Sequence, residues 1–292
     1  MNRNKNLFYL LWSVAIVVCV ALSIFALLFS ACSKTGETKP KDDGKDGFTV
    51  VSAPPGTAEP AENSEAPVEE TAPPETPPPA ATPAPVRLAE TPDAGRAYLD
   101  KIVFLGDSTT YGIGVYYGYG YTELCPPSQV WTPSSGTLTL SYYNIATLVY
   151  PETKEEIPIA DAVARAKPEY MIITLGVNGI SFMDEDWFIR DYTALVKMIQ
   201  EASPDTKIIL NSIYPVADSY QYLKDINNDK INAANGWIER IAADTGTRFL
   251  YSYECLVENG RLPETSHNGD GLHLNGETFT KVMQYIRTHA YI

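Results

Sequence analysis

Three short, almost wholly apolar runs mark the C-terminal two thirds of the chain. They occupy residues 101–105 (KIVFL), 170–175 (YMIITL) and 207–213 (KIILNSI), and each gives way to a glycine or a polar loop. Continuous apolar runs of this length are typical of strands that are buried on both faces of a parallel sheet. We therefore expect these three runs to form the centre of the fold.

Weaker patterns fill the intervals between these runs. Further strands are expected within residues 129–140 and at 247–251, and a hairpin is expected from residues 144–150 and 155–159. Helices are predicted at residues 159–166, 186–202, 225–244 and 278–289, the last of them capped by Asn275. Strands that alternate with helices predict an α/β fold with a mainly parallel sheet covered on both faces, and with a functional site beyond the carboxyl ends of the strands.

The N-terminal third has a different composition. Residues 7–33 are uncharged and mostly apolar, and they follow Arg3 and Lys5, which predicts a membrane anchor over residues 1–33 with the rest of the chain outside the cell. The Ser30-Ala31-Cys32 sequence leaves a lipoprotein signal with a lipidated Cys32 as the alternative.

The segment that follows the apolar stretch is rich in Pro, Ala, Glu and Thr. This composition predicts that residues 34–92 form a disordered linker, because they contain too little apolar surface to offset the entropy of ordering. An extended spacer of this kind would let an enzyme reach into or beyond a cell wall. Residues 93–292 are then expected to form one globular domain.

Charge and cysteine content exclude several classes of function. The formal net charge is −14, which argues against nucleic acid as a partner, because phosphates require a basic surface. The globular part contains only Cys125 and Cys255, and the sequence leaves open whether they pair. No Cys or His spacing indicates a metal site, so neither metal nor cofactor is expected.

Three polar motifs follow predicted strands or precede the last helix. Ser108 lies in a Gly-Asp-Ser tripeptide at the end of the first strand, where a glycine-rich loop is expected, and Asn178 follows the strand at 170–175. Asp270 and His273 lie in a DGLHLN segment directly before the final helix. Taken separately, the first two motifs are more commonly a serine cap and a turn asparagine than catalytic groups. Together they place a hydroxyl, an amide and a carboxylate–imidazole pair at one edge of the sheet.

In their order and placement these motifs resemble the SGNH/GDSL hydrolase family over about residues 101–289. The resemblance implies a flavodoxin-like three-layer α/β/α sandwich and ester hydrolysis through an acyl-enzyme. It implies Ser108 as nucleophile, His273 as general base and Asp270 as its orienting carboxylate. An oxyanion hole would be formed by Asn178, the Ser108 N–H and a family glycine that Gly136 resembles best. The sequence departs from the family at Gly179, where most members have Asp, which puts the loop geometry in doubt.

The substrate is indicated less directly. Tyrosines follow the nucleophile, and aromatic rings pack well on sugars, so Tyr111 and Tyr116 are expected to bind substrate, with His267 lining the site. We expect a membrane-tethered, extracellular esterase acting on a small ester or on O-acetyl groups of cell-surface or environmental glycans, with possible cell-wall contact. An O-acetyltransferase using the same triad and a non-catalytic carbohydrate-binding domain remain as alternatives.

Overall fold

The computed structural model describes residues 85–292, and within them lies a five-stranded parallel sheet. The strands are β1 (Ile102–Gly106), β2 (Val130–Trp131), β5 (Tyr170–Thr174), β6 (Lys207–Asn211) and β7 (Arg248–Leu250), in the spatial order β2-β1-β5-β6-β7. A separate antiparallel hairpin pairs β3 (Thr147–Val149) with β4 (Glu156–Pro158). The three predicted apolar runs are therefore the three central strands.

Helices cover both faces of the sheet. They are α1 (Gly95–Leu99), α2 (Ser108–Gly118), α3 (Ile159–Ala166), α4 (Glu185–Ala202), α5 (Asn228–Thr245) and α6 (Gly276–Thr288). Alternate residues of β5 enter two different cores. Met171 and Ile173 pack in the core that contains buried residues of α3, α4 and α5, whereas Tyr170 and Ile172 pack in the core with α1, α2 and α6. This alternation follows from the two-residue period of a strand and confirms the predicted three-layer α/β arrangement.

Local sequence signals account for the helix starts. Asp184 accepts a hydrogen bond from the N–H of Trp187 at 2.8 Å and caps α4. Asn275 accepts from the N–H of Thr278 at 3.0 Å and caps α6, as the sequence predicted. Such caps satisfy N–H groups that have no acceptor inside the helix.

Two regions differ from the sequence-based expectation. Residues 129–140 contain only a two-residue strand, and the irregular segment after it, with a turn at residues 134–136, places Thr137 against Asn178. The glycine-rich segment after Ser108, expected to be a loop, is helix α2. Gly112 in this helix lies against Phe279 of α6, where a Cβ atom would come within 2.8 Å of the ring. The glycine thus permits close packing of the two helices.

The folded part also begins earlier than the expected boundary at Asp93. Leu88 donates to the carbonyl of Phe249 at 2.8 Å, and Phe249 donates to the carbonyl of Val86 at 2.9 Å. Arg87 pairs with Glu239, and its guanidinium lies 4.5 Å from the centre of the Tyr251 ring. Composition alone could not reveal this boundary, since it depends on backbone pairing with β7.

The predicted anchor and most of the predicted linker lie outside the described residues. Of the helices between residues 85 and 292, none combines the length and apolar character that a membrane span requires.

Candidate active site

The connection between β1 and α2 fixes the position of Ser108. Gly106 ends the strand, and a side chain at this position would collide with the Thr174 carbonyl, 2.3 Å from an added Cβ atom. Asp107 then caps α2 through its Oδ1, which accepts from the N–H of Thr109 at 2.9 Å. Ser108 is therefore the first residue of α2 and lies beyond the carboxyl ends of the parallel strands.

His273 links Ser108 to Asp270 by a continuous series of hydrogen bonds. Its Nε2 lies 2.8 Å from the Ser108 Oγ, and its Nδ1 lies 2.6 Å from the Asp270 Oδ2. The side chains of His273 and Asp270 are 23% and 43% exposed, so the site is open to a ligand. The structure thus brings together the three residues that the motifs singled out, although 165 positions separate Ser108 from His273.

Asp270 is held in place as an ionised carboxylate. Its Oδ1 accepts from the N–H groups of Leu272 at 2.8 Å and of His273 at 2.9 Å. Burial alone would raise the pKa of Asp270, but the hydrogen bond and charge of His273 and these two N–H groups lower it to about 2. An ionised Asp270 favours the His273 tautomer that carries its proton on Nδ1 and leaves Nε2 free to accept a proton from Ser108.

Two hydrogen-bond donors follow neighbouring strands at the carboxyl edge of the sheet, the Ser108 N–H after β1 and the Asn178 amide after β5. The N–H of Ser108 is at the first position of α2, where no acceptor exists within the helix and the helix dipole is positive. Asn178 is half-buried after β5, and its Nδ2 lies 3.3 Å from the Thr137 Oγ1. An amide nitrogen has two N–H groups, so one remains for a ligand. Donors of this kind at a strand edge are the groups that can bind a developing negative charge.

The loop that carries Asn178 accommodates glycine at the position where the family usually has Asp. Gly179 donates to the carbonyl of Gly176 at 2.8 Å, closing a tight turn. A Cβ atom at Gly179 would lie 2.7 Å from the Met183 sulfur. The Met183 side chain therefore packs directly against the turn, and glycine fits there without displacing it.

Gly136 does not fit the oxyanion role that the resemblance implied. Its N–H donates to the carbonyl of Pro133 at 2.8 Å, and the residue is buried beneath the ring of Tyr111. A donor already used in a turn is not available to a substrate. The neighbouring residue Thr137, which the sequence did not single out, contacts Asn178 instead.

The three expected substrate-binding residues have different surroundings. Tyr111, one turn of α2 after Ser108, is 41% exposed and packs on Gly136, which leaves part of its ring open beside the site. Tyr116 instead packs 6.0 Å from Phe279 and at right angles to neighbouring tyrosines, so its ring belongs to the loop and core. His267 is almost fully buried, and both ring nitrogens are hydrogen-bonded within the protein. Tyr116 and His267 therefore have structural roles, and the prediction that they bind substrate is corrected.

Asp107, the neighbour of Ser108, lies in surroundings that the sequence did not predict. The side chain is fully buried, and its Oδ2 has no hydrogen bond of normal geometry. Burial raises the pKa of Asp107 to about 6, although hydrogen bonds from Thr109 and the charge of His273 act in the opposite direction. The Gly-Asp-Ser sequence suggested a serine cap, whereas the structure shows that Asp107 caps α2 and that its carboxyl is buried.

The raised pKa of Asp107 predicts a pH-dependent loss of stability. An unfolded chain releases this proton near pH 3.8 and the folded protein near pH 6, so the folded state loses about 3 kcal/mol as the pH rises between these values. Asp107→Asn, which cannot ionise, should lack this loss. We expect the free energy of unfolding of the wild type, minus that of the variant, to fall by about 3 kcal/mol over that interval. Urea denaturation at a series of pH values measures it, and a constant difference would contradict a raised pKa.

Residues 85–292 contain neither a disulfide nor a group of side chains suited to a metal ion. Cys125 and Cys255, whose pairing the sequence left open, are free thiols in the structure, and burial raises the pKa of each to about 12. Among residues 85–292, no three His, Cys, Asp or Glu side chains form a group that could hold a metal ion.

Comparison with known proteins gives one family match. The family model of the GDSL-like Lipase/Acylhydrolase family matches residues 104–279, which include Ser108, Asn178, Asp270 and His273. No curated protein sequence matches the chain.

Solved structures are similar at low identity. A GDSL-like lipase from Bacteroides thetaiotaomicron is 18% identical, with 64% of this chain and 85% of that chain covered and a TM-score of 0.44. A carbohydrate acetylesterase from Sinorhizobium meliloti is 16% identical, with coverage of 64% and 95% and a TM-score of 0.40. The periplasmic domain of a lipopolysaccharide acetyltransferase from Salmonella ser. Paratyphi A is 16% identical, with coverage of 69% and 84% and a TM-score of 0.43.

Proposed function

Because the chain belongs to the GDSL-like lipase/acylhydrolase family, we propose that it is a serine esterase that cleaves ester bonds through an acyl-enzyme on Ser108. The observation that carries this proposal is the series of hydrogen bonds from Ser108 through His273 to Asp270, at 2.8 Å and 2.6 Å. A serine hydroxyl is a weak nucleophile until a base takes its proton, and His273 is the base within reach.

The reaction would proceed in two halves. The Ser108 Oγ attacks the ester carbonyl while the His273 Nε2 takes its proton, and the resulting oxyanion accepts hydrogen bonds from the Ser108 N–H and Asn178. His273 then protonates the leaving alcohol, and the acyl group stays on Ser108. A water molecule that gives its proton to His273 attacks the acyl-enzyme, and the acid leaves. Asp270 keeps the imidazole oriented and stabilises its charged form in both halves.

We propose O-acetyl groups on cell-surface or environmental glycans as the substrate. Tyr111 supports this, because its exposed ring lies one helical turn from Ser108 and can pack on the C–H face of a sugar. Tyr116 and His267 do not support a glycan substrate, because their side chains are engaged within the protein.

We also propose that the domain is held outside the cell on the N-terminal segment, either by an uncleaved span or by a lipidated Cys32. The apolar stretch at residues 7–33 and the proline-rich segment after it support this topology. Residues 86–88 run parallel to β7, so the chain joins the sheet at the amino ends of its strands, whereas Ser108 lies beyond the carboxyl ends.

The proposal is tested with the full-length protein and two substrates. Acetate release is measured from acetylated xylan and from O-acetylated peptidoglycan, with and without a sugar acceptor. A fluorophosphonate probe is used in parallel, and mass spectrometry locates its adduct. We expect acetate release, with the adduct on the peptide that contains Ser108.

Three results would count against parts of the proposal. An adduct elsewhere, or none, would exclude Ser108 as nucleophile. Transfer of acetyl to the sugar acceptor in preference to water would identify a transferase. No acetate release from either glycan, with the probe adduct still on Ser108, would rule out O-acetylated glycans as the substrate.

A further inference from the structure

His267 is buried directly beside the loop that carries Asp270. Its side chain is only 5% exposed, and its Nδ1 lies 3.0 Å from the N–H nitrogens of both Gly269 and Gly271. These two glycines flank Asp270 in the sequence. One ring nitrogen therefore holds the backbone on each side of the carboxylate.

The same contacts determine the tautomer of His267. A ring nitrogen that accepts two N–H bonds must be unprotonated, so the proton of the neutral ring is on Nε2. This Nε2 lies 3.0 Å from the Glu264 Oε2, to which it donates. Glu264 in turn accepts from Ser219, from its hydroxyl at 2.6 Å and from its N–H at 3.1 Å. The hydrogen bonds from Ser219 and His267 lower the pKa of Glu264 and keep it an acceptor.

The loop around Asp270 requires this external support because of its backbone conformation. Gly269 and Gly271 have φ angles of 113° and 82°, a region that glycine adopts at little cost but does not specifically prefer. The carbonyl of Gly271 accepts from the N–H of Ala217 at 2.8 Å, which fixes the loop from the other side. Without an acceptor at His267, two N–H groups beside Asp270 would lose their partner.

We propose that His267 is a positioning residue: it sets the place and orientation of Asp270, and through Asp270 the orientation of His273, without touching the substrate. This inference rests on the proposed function for its kinetic readout. The position that matters is that of the Asp270 Oδ2, whose 2.6 Å contact with the His273 Nδ1 leaves little tolerance for movement. A misplacement of about 1 Å in a catalytic group can cost about 100-fold in rate.

Two substitutions separate the acceptor from the bulk of the ring. His267→Leu removes the acceptor and replaces the ring by an apolar side chain of related size. His267→Asn instead places an oxygen acceptor near the position of Nδ1. In the full-length protein, we expect His267→Leu to lower kcat for a small acetyl ester by about 10- to 100-fold, with KM within about twofold. His267→Asn should recover most of this loss. Active sites are counted by fluorophosphonate titration, so that kcat refers to folded enzyme.

A second readout does not depend on ester hydrolysis. The proton between the His273 Nδ1 and the Asp270 Oδ2 should give a strongly downfield NMR resonance, because the hydrogen bond is short and charge-assisted. We expect this resonance in the wild type and in His267→Asn, and its loss or displacement in His267→Leu. If the wild type shows the resonance but hydrolyses no ester, the proposed function fails while the positioning role stands.

The controls make the inference falsifiable even if His267→Leu does not fold. His289→Asn makes the same change in a ring that stacks on Tyr285 at 3.8 Å near the far end of α6, and it should leave kcat unchanged. Glu264→Gln weakens the support of His267 and should lower kcat less than His267→Leu does. Wild-type kcat and an unchanged resonance in His267→Leu would overturn the proposal. So would a His267→Asn variant as impaired as His267→Leu, or, if His267→Leu is unfolded, a Glu264→Gln variant with the wild-type kcat and resonance.

Discussion

Ser108→Ala is expected to lower kcat for a small acetyl ester by about 10⁶-fold, the size of effect that removal of the serine has in a Ser-His-Asp triad. The reason is geometric. The Ser108 Oγ lies 2.8 Å from the His273 Nε2, and without it no hydroxyl occupies the position from which an ester carbonyl would be attacked. KM should change little, because alanine is smaller and leaves the donors at Asn178 and at the start of α2 in place. Initial rates of acetate release from the full-length protein measure the effect.

A matched substitution controls for nonspecific damage. Ser128 is exposed in a short 3₁₀ helix, and its neighbour Gln129 bonds to the carbonyls of Leu99 and Ile102 at the amino end of β1. Ser128→Ala therefore changes the same atoms far from the carboxyl edge and should keep the wild-type rate. A Ser108→Ala protein that retains more than about 1% of the wild-type kcat would contradict a covalent role for Ser108.

Much of the fold could be predicted because its signals are local. The central strands are continuous apolar runs, and α3 and α4 begin and end within one residue of the expected positions. Asn275 was identified as a cap from its place before a helical pattern, and it caps α6. In each case the burial pattern, the cap and the preceding turn favour the same structure, and this agreement between levels makes a prediction reliable.

Helix α2 could not be predicted, because its stabilisation comes from outside the segment. Its three glycines lower helix propensity, and they indicated a loop. Asp107 supplies a cap, and Gly112 and Gly114 allow close contact with Phe279 and Pro127. Tertiary packing therefore outweighs propensity here.

The sequence predicted the site residues that belong to recognisable motifs. It did not predict roles that depend on which hydrogen-bonding groups remain free in the folded protein. Ser108, His273 and Asp270 come together as expected. Gly136 was a reasonable choice by position, but a turn bond to Pro133 occupies its N–H. His267 was expected to line the site, and whether a histidine faces solvent or two backbone N–H groups depends on the loop fold.

Asp270→Asn is expected to lower kcat by about 10⁴-fold while leaving the fold intact. The carboxylate accepts from the His273 ring at 2.6 Å, and its pKa of about 2 keeps it ionised throughout the working pH range. An asparagine can keep the backbone contacts only by presenting its NH₂ group to the His273 Nδ1. That group is a donor, so the ring would carry its proton on Nε2 and could not accept one from Ser108.

The pH dependence and a control distinguish this explanation from simple disruption. Because the pKa of Asp270 is about 2, protonation of Asp270 cannot cause a loss of activity above about pH 4. Asp205 is exposed in the turn between α4 and β6, and Asp205→Asn should keep the wild-type kcat. Fluorophosphonate labelling of Ser108 should slow in Asp270→Asn in parallel with kcat, since both reactions require the same proton transfer. A variant with kcat within about tenfold of the wild type would show that His273 holds its orientation without the carboxylate, and that the loop fixed by His267 serves some other purpose.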